Sequence, residues 1–230
     1  MGPLLQFAGA LDRIARISGK TIGWIMIPLI VVIMFDVVTR KLDFTRLYFS
    51  EWTATSGVSV STILQDLQWH FHGALLMLTF GFGYLANAHV RVDVFRELFS
   101  RRPQAWLELF GLIICAIPFL SYMILYSYDM VELSFHQGEG SESLTGIGQR
   151  WIIKSAMIIG FVLALIAVIA TLFRLFVYLF GSDSESSEAE NALEIFAGDL
   201  SELEAARQAA EEKLRQEAEQ KRRDARKGGA

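Results

Sequence analysis

Two long stretches of the sequence carry no charged side chain, and they determine the class of fold. Residues 109–128 (LFGLIICAIPFLSYMILYSY) and 155–173 (SAMIIGFVLALIAVIATLF) would be apolar on every side of a helix. A soluble amphipathic helix needs a polar face that recurs about every 3.6 residues, and neither stretch has one. About 20 apolar residues suffice to cross the hydrocarbon core of a bilayer. Because lipid offers the backbone no hydrogen-bond partner, both stretches are predicted to be transmembrane helices.

Two further apolar segments raise the predicted number of transmembrane helices to four, so the chain is predicted to be an all-α membrane protein. The four spans are predicted at residues 22–38, 69–88, 105–128 and 152–173. Residues 181–230 have a different composition, with many charged residues and a single aromatic residue, Phe196. They are predicted to form a charged, partly helical cytoplasmic tail behind a four-helix transmembrane domain at residues 21–180.

Residues 1–20 are predicted to be a separate amphipathic segment. At helical spacing, the sequence LLQFAGALDRIARISG at 4–19 places its large apolar side chains on roughly one face. These are Leu4, Phe7, Leu11, Ile14 and Ile17. Such a helix suits the cytoplasmic interface of a membrane, with its apolar face at the acyl boundary. The alternative is that this segment simply extends the first transmembrane helix.

The basic residues between the spans predict the orientation, since segments rich in Lys and Arg stay in the cytoplasm. One side would carry Arg13, Arg16, Lys20, Arg91, Arg96, Arg101, Arg102 and Arg174. The other side would carry Arg40, Lys41, Arg46, Arg150 and Lys154, together with the acidic residues Asp129, Glu132, Glu139 and Glu142. This bias predicts that both termini are cytoplasmic.

The histidines around the second span do not predict a metal site. His70 and His72 are two residues apart, so on a helix they point about 200° apart and cannot chelate one ion. His89 lies roughly 26 Å farther along the same span at about 1.5 Å per residue. The sequence has no nucleophile motif, phosphate loop or paired buried carboxylates, so we expect neither an enzyme nor a bound cofactor. The single cysteine, Cys115, excludes an intrachain disulfide and is expected to be packed.

Small and charged residues in the spans are candidates for contacts with another subunit or with lipid. Asp36 and Arg40 are four residues apart near the end of the first span, so Asp36 is predicted to pair either with Arg40 or with a partner subunit. Gly73 and Gly81 fall on one stripe of the second span, where small side chains allow close helix approach.

A second candidate cluster lies at the predicted cytoplasmic end of the second span. His89 and Asp93 are four residues apart and can meet if the helix continues, whereas Arg91 would turn toward another element or a lipid phosphate. The cluster predicts either an interfacial hydrogen-bonded group that orients the span or a contact with another membrane subunit.

Two segments carry a resemblance to a known family. They are LQDLQWHFHGALLMLTFGFGYLANAHVRVDVF at 64–95 and WIIKSAMIIGFVLALI at 151–166. The most specific features are the closing His-Val-Arg-Val-Asp of the first segment and Trp151 with Lys154 in the second, which are further interface candidates. In these features the chain resembles the DctQ-like small permeases of tripartite ATP-independent periplasmic (TRAP) transporters, over roughly residues 15–180. It departs from typical members in the long loop after the first span and in the charged tail.

This resemblance implies a component of a bacterial inner-membrane complex. A periplasmic solute-binding protein would deliver an organic acid, such as a C4-dicarboxylate or a keto acid, to a large multispan permease subunit. The large subunit would carry the solute and, usually, sodium ions. The small subunit would be a fixed scaffold among membrane lipids, with no cofactor of its own and no nucleic-acid partner.

Two other functions are compatible with the sequence. The chain could anchor or assemble another membrane complex, or it could form a small independent carrier as an oligomer. A transport path needs polar or broken-helix features near the bilayer midplane. The spans have few such features, which favours the scaffold.

Overall fold

The computed structural model describes residues 2–88, 99–143 and 145–193, and the regular secondary structure in these residues is helical. The α-helices in these residues are α1 (Pro3–Ile22), α2 (Met26–Lys41), α3 (Asp43–Ser56), α4 (Val60–Leu85), α5 (Arg101–Gly111), α6 (Ile117–His136), α7 (Trp151–Phe180) and α8 (Asp183–Ala192). A 3-10 segment, Gly23–Ile25, joins α1 to α2, and a π-helical segment, Leu112–Ala116, joins α5 to α6.

Three helical stretches of the described chain are long and apolar enough to cross a membrane. They are Pro3–Lys41, Arg101–His136 and Trp151–Phe180. Helix α4 covers the predicted second span with 26 residues, or roughly 39 Å at about 1.5 Å per residue. Its first half is more polar, with Gln65, Asp66, Gln68, His70 and His72. The all-helical prediction is confirmed, whereas the number of four spans stays a prediction.

The N-terminal segment is helical and continues through the 3-10 turn into α2. The combined stretch of 39 residues is roughly 58 Å long at about 1.5 Å per residue, almost twice the thickness of a hydrocarbon core of about 30 Å. This continuity fits the alternative in which residues 1–20 extend the first span. A separate interfacial helix stays a prediction.

The membrane helices lie side by side in a row rather than in a closed bundle. Among the described residues, α6 packs against α7, α7 against α4, and α4 against α2, while α1 crosses both α7 and α4. Helices α2 and α6 therefore form the two edges of the row. Both described termini, together with the start of α5, lie at one end of the row, which we call the terminal end. Helix α3 and residues 137–150 lie at the other, the loop end.

Close backbone contact between α4 and α7 sets their register. A Cβ atom added to Gly160 would lie 2.4 Å from the carbonyl oxygen of Met77, and one added to Gly81 would lie 2.6 Å from that of Leu163. Only residues without a side chain permit this approach. The two helices run in the same direction, with residue 77 beside 160 and residue 81 beside 163–164.

Both prolines within the predicted spans follow a change in backbone hydrogen bonding. Pro28 comes just after the 3-10 segment, and Pro118 comes just after the π-helical segment. A proline ring removes one N–H donor and clashes with the carbonyl four residues earlier, so the preceding turn changes its pattern. Cys115 lies in the π-helical segment and is exposed. The prediction that it is packed is therefore wrong.

The region after the first span is more ordered than its mixed sequence suggested. Helix α3 occupies most of it, and the connection to α4 is short. Helix α4 begins at Val60 and is capped by Ser59, whose hydroxyl accepts a hydrogen bond from the N–H of Thr62 at 3.3 Å.

The first part of the predicted tail packs against the membrane domain. In α8 and just after it, Ala189 and Leu193 are buried, and Glu190 pairs with Arg101 at the start of α5. The hydroxyl of Ser186 donates to the carbonyl of Tyr178 at 2.8 Å. Residues 183–193 of the predicted tail therefore lie against the membrane domain rather than apart from it. Residues 194–230 lie outside the described part of the chain.

Candidate subunit interface

An ion-pair cluster at the terminal end joins α1 to α7 and α4. Asp12 accepts hydrogen bonds from Arg16 Nε at 2.8 Å and from Arg174 Nη1 at 3.0 Å. Arg16 Nη2 also donates to the carbonyl of Leu85 at 3.4 Å. This carbonyl belongs to the last turn of α4, whose oxygens lack partners within the helix. Asp12 and Arg174 are only 13% and 11% exposed, so three helices meet at a shielded charge cluster.

Helix α1 packs against α4 and α7 through a face other than the one that carries its large apolar residues. Leu4, Phe7, Ile14 and Ile17 are exposed. The residues that face α4 and α7 recur at alternating spacings of three and four. They are Leu5, Ala8, Asp12, Ala15 and Gly19. This stripe of mostly small residues was the sequence signal that could have indicated the packing face, because small side chains let helices approach while large apolar ones can face lipid.

A second polar cluster joins α2 to α4 nearer the loop end. Asp36 is 6% exposed. Its two carboxylate oxygens accept hydrogen bonds from Arg40 Nε at 2.9 Å and Nη2 at 2.8 Å. Gln68 Nε2 on α4 donates to the same carboxylate at 3.2 Å. Such bidentate, charge-assisted bonds are among the stronger hydrogen bonds in proteins. Asp36 therefore has a partner within the chain, and a role at a subunit contact stays a prediction.

The loop between α6 and α7 is held by its own ion pairs. Lys154 donates to the carboxylate of Glu139, and Arg150 Nη1 lies 3.8 Å from Glu139 Oε1. The hydrogen bond from Lys154 is the main reason that the pKa of Glu139 lies below its ordinary value of 4.5. Asp66 on α4 accepts a hydrogen bond from the N–H of Ile147 at 2.8 Å. The loop is thus fixed to α4 as well as to α7.

The register of α4 and α7 places two tryptophans at about the same height. Trp69 lies roughly level with Trp151, because residue 77 lies beside residue 160. Tryptophan is enriched where lipid headgroups meet hydrocarbon. Asp36 bonds to Gln68, one residue before Trp69. The Asp36 cluster therefore lies at the level of these two tryptophans.

The edge helices present broad apolar faces to the surroundings. On α2 the exposed large apolar residues are Met26, Ile27, Ile30, Val31, Ile33, Met34, Phe35, Val37 and Val38. On α6 they are Phe119, Tyr122, Leu125, Tyr126, Tyr128, Leu133 and Phe135. Contiguous apolar surface of this extent marks contact with lipid or with another protein.

Comparison with known proteins identifies the family. A family model described as "Tripartite ATP-independent periplasmic transporters, DctQ component" matches residues 29–177, nearly two thirds of the chain. The chain belongs to the DctQ family. No curated protein matches it, and neither does any solved structure. The matched residues include the helix row but begin after α1, so the buried stripe of α1 lies outside the family match.

Membership of the DctQ family makes the chain a small membrane subunit of a TRAP transporter. Such transporters are tripartite, with a large permease subunit and a periplasmic binding protein besides this component. Transport rather than enzymatic catalysis is the activity of the family. The exposed edges of the helix row are accordingly the surfaces on which subunit contacts are to be sought.

The residues predicted for such contacts lie in different environments in the fold. Gly81 is buried in the chain's own α4–α7 contact, whereas Gly73 has open space where a side chain would be. Lys154 pairs with Glu139, and the ring of Trp151 packs edge-on against that of Phe135. These contacts are intramolecular, and a role for these residues at a subunit or lipid interface stays a prediction.

The predicted cluster of His89, Arg91 and Asp93 lies outside the described residues. Helix α4 ends at Leu85, before the predicted boundary at residue 88. Asn87 follows with a φ of 51°, a left-handed conformation that Asn tolerates better than most residues. The role of the cluster at the membrane rim or at a subunit contact stays a prediction.

Proposed function

We propose that this DctQ-family chain is the fixed scaffold of a sodium-coupled TRAP transporter that takes up organic acids. The transported solute and the sodium ions would pass through the large permease subunit. Carboxylates such as C4-dicarboxylates or keto acids are the proposed substrates, delivered by a periplasmic binding protein. The family assignment supports the assembly, and the chemistry of the spans supports the passive role.

The absence of charge from the central parts of the membrane spans carries the proposal. Residues 21–35, 67–88, 109–128 and 155–173 contain no Asp, Glu, Lys or Arg. Ion and proton pathways through a membrane depend on such residues at depth, or on broken helices that line a cavity. The charged residues that enter the helix row are paired close to its ends, as in the Asp12–Arg174 and Asp36–Arg40 pairs.

The orientation belongs to the proposal as well. The terminal end would face the cytoplasm and the loop end the periplasm, because basic residues predominate at the terminal end. Labelling with a membrane-impermeant thiol reagent in a Cys115→Ser background would test this. Glu142→Cys at the loop end should label in intact cells, and Ser184→Cys at the terminal end should label only after the membrane is made permeable.

Reconstitution tests the scaffold role directly. The full chain alone in liposomes should transport no carboxylate, with or without a sodium gradient. The chain co-expressed with a large TRAP permease subunit from the same genome should co-purify with it in a fixed ratio. Together with the binding protein, that complex should accumulate the acid. Solute flux through the chain alone would contradict the proposal and favour an independent carrier. Association with an unrelated membrane complex would favour an anchoring protein.

A further inference from the structure

A cavity lies at the loop end of the helix row. It has a volume of about 240 Å³ and lies between the end of α2, helix α3 and the start of α4. Its polar lining comes from two arginines and from hydroxyl groups, chiefly Arg40, Arg46, Ser50, Thr53, Ser59 and Ser61. We propose that this cavity binds the phosphate group of a membrane phospholipid.

The donors in the cavity suit a phosphate group. Arg40 commits Nε and Nη2 to Asp36, which leaves the two N–H bonds of Nη1 for another acceptor. Arg46 is bound by one nitrogen only, through Nη2 to Asp43 at 2.9 Å. Arginine presents several N–H donors in a planar fork that matches phosphate oxygens.

The start of α4 adds to the positive potential of the cavity. The N–H groups of Val60 and Ser61, in the first turn of this helix of 26 residues, have no carbonyl partner within it. Such N–H groups and the helix dipole favour an anion. Val60 and Ser61 both line the cavity. Guanidinium groups from α2 and α3 and amide groups from α4 thus surround one space.

The carboxylates near the cavity leave room for an added anion. Asp36 is shielded and neutralised by Arg40. Asp43 is 82% exposed, and its pair with Arg46 is an exposed contact of the kind worth about 0–1 kcal/mol. A phosphate group that binds Arg46 therefore has to compete only with the weak contact between Arg46 and Asp43.

The height of the cavity in the membrane favours a lipid as the source of the phosphate. Trp69 and Trp151 lie level with the Asp36–Gln68 contact, and we place the boundary between hydrocarbon and headgroups at this level because tryptophan is enriched there. Arg40 lies one helical turn beyond Asp36, about 6 Å at 1.5 Å per residue. The headgroup layer of one leaflet is roughly 5–8 Å thick, so Arg40 lies within it.

Apolar side chains in and beside the cavity would contact the acyl chains. Phe49, Val60 and Leu64 belong to its lining, and Val37 and Val38 are exposed on α2 just before Arg40. The exposed apolar residues of α3 lie on the helix face opposite the cavity and would contact the surrounding lipid. They are Phe44, Leu47, Tyr48 and Trp52. A lipid bound in the cavity would fill the space that α2, α3 and α4 leave between them.

Lipid retention by the purified protein tests this site. The full chain, extracted in a mild detergent, would be analysed by native mass spectrometry for bound phospholipid. Arg46→Gln should reduce the retained lipid about tenfold, since a hydrogen bond to a charged group is lost. Lys41→Gln is the matched control, because it removes the same charge from an exposed residue beside the cavity. Asp43→Asn should increase retention by freeing Arg46.

Titration of the delipidated full chain identifies the source of the phosphate. Short-chain phosphatidylglycerol should stabilise the wild-type chain against thermal unfolding. Diacylglycerol of the same chain length, which lacks phosphate, should not stabilise the chain, and neither should inorganic phosphate alone.

Stabilisation by inorganic phosphate alone would overturn the lipid assignment in favour of a free-anion site. Equal effects of diacylglycerol and phospholipid, or equal retention by wild type and Arg46→Gln, would overturn the site. Circular dichroism of each variant verifies unchanged helix content.

Discussion

Helix α4 packs against α7 on one side and against α2 on the other, and the two contacts are made differently. The α4–α7 contact is backbone against backbone at Gly81 and Gly160. The α2–α4 contact depends on polar side chains, in which Gln68 meets Asp36, and two cavities lie beside it. The first contact has no space to adjust, whereas the second has flexible side chains and room between the helices.

The difference suggests that two parts of the subunit have different mechanical roles. Helices α1, α4 and α7 form a rigid centre, closed by glycines and by the Asp12 cluster. Helices α2 and α3 form an adjustable edge that can respond to lipid or to the large subunit. A scaffold needs both properties, because a fixed frame must resist the movement of its partner while its rim adapts to the neighbouring surface. Four predictions test this contrast.

The largest effect is expected from Gly160→Ala. Its new methyl group would lie 2.4 Å from the carbonyl oxygen of Met77, and α4 and α7 must separate to accept it. Overpacking of this kind typically costs about 1–3 kcal/mol and occasionally more, and we expect the upper end because backbone atoms block the methyl group. Thermal unfolding of the purified full chain and its level in the membrane measure the loss.

Gly73→Ala is the matched control for Gly160→Ala. Gly73 lies on α4, the helix that Gly160 contacts. A methyl group at Gly73 meets nothing within 4 Å, so the chain should be unaffected or stabilised by up to about 1 kcal/mol through helix propensity. Equal stability of the Gly160 and Gly73 variants would contradict a rigid α4–α7 contact.

The next largest effect is expected from Asp12→Asn. The substitution leaves Arg174 shielded without a carboxylate, and removing one partner of a buried pair costs about 3–5 kcal/mol. We expect the lower end, since the side chains keep 13% and 11% exposure. Chemical unfolding in detergent measures the change. Asp43→Asn, which breaks the exposed pair with Arg46, should change stability by less than about 1 kcal/mol. A similar change in both variants would show that α1 does not depend on the Asp12 cluster.

The sequence predicted the helices well because apolar composition determines them locally. The charge-free runs at 109–128 and 155–173 both lie within long helices. The i, i+4 spacing of Asp36 and Arg40 was sufficient to suggest their pair, because helix geometry alone brings such residues together. The sequence was therefore informative about structural properties that depend on a single helix.

Properties that depend on two helices were harder to predict. The glycine stripe indicated a close approach, but only the structure shows that Gly81 meets α7 within the chain while Gly73 stays open. The sequence analysis did not predict which face of α1 packs against α4 and α7, because large apolar residues can face lipid as readily as protein. The contact between Asp12 and Arg174 spans 162 residues, and no local pattern reports such a pairing.

A smaller effect, confined to the adjustable edge, is expected from Asp36→Asn. Asparagine keeps one oxygen for Gln68 but loses the charge that holds Arg40, and Arg40 can turn to water because it is 48% exposed. We expect a loss of about 1 kcal/mol and less co-purified large subunit. Arg40→Gln provides the comparison, since it removes the same pair and leaves Asp36 in place. Unchanged assembly and transport in Asp36→Asn would remove Asp36 from the interface.

The smallest effect concerns the Glu139–Lys154 pair and appears only in acid. The pKa of Glu139 in the folded chain lies below its ordinary value of 4.5, so the unfolded chain binds a proton first as the pH falls. The stabilisation is therefore complete above about pH 4.5 and is lost as the pH falls through the folded pKa. For a partly exposed pair we expect less than about 1 kcal/mol.

Thermal unfolding between about pH 7 and pH 3 should show less acid destabilisation in Glu139→Gln than in the wild type. Glu142→Gln, at a position 93% exposed, should behave like the wild type, and an acid response that Glu139→Gln leaves unchanged would show that the loop is held by other contacts.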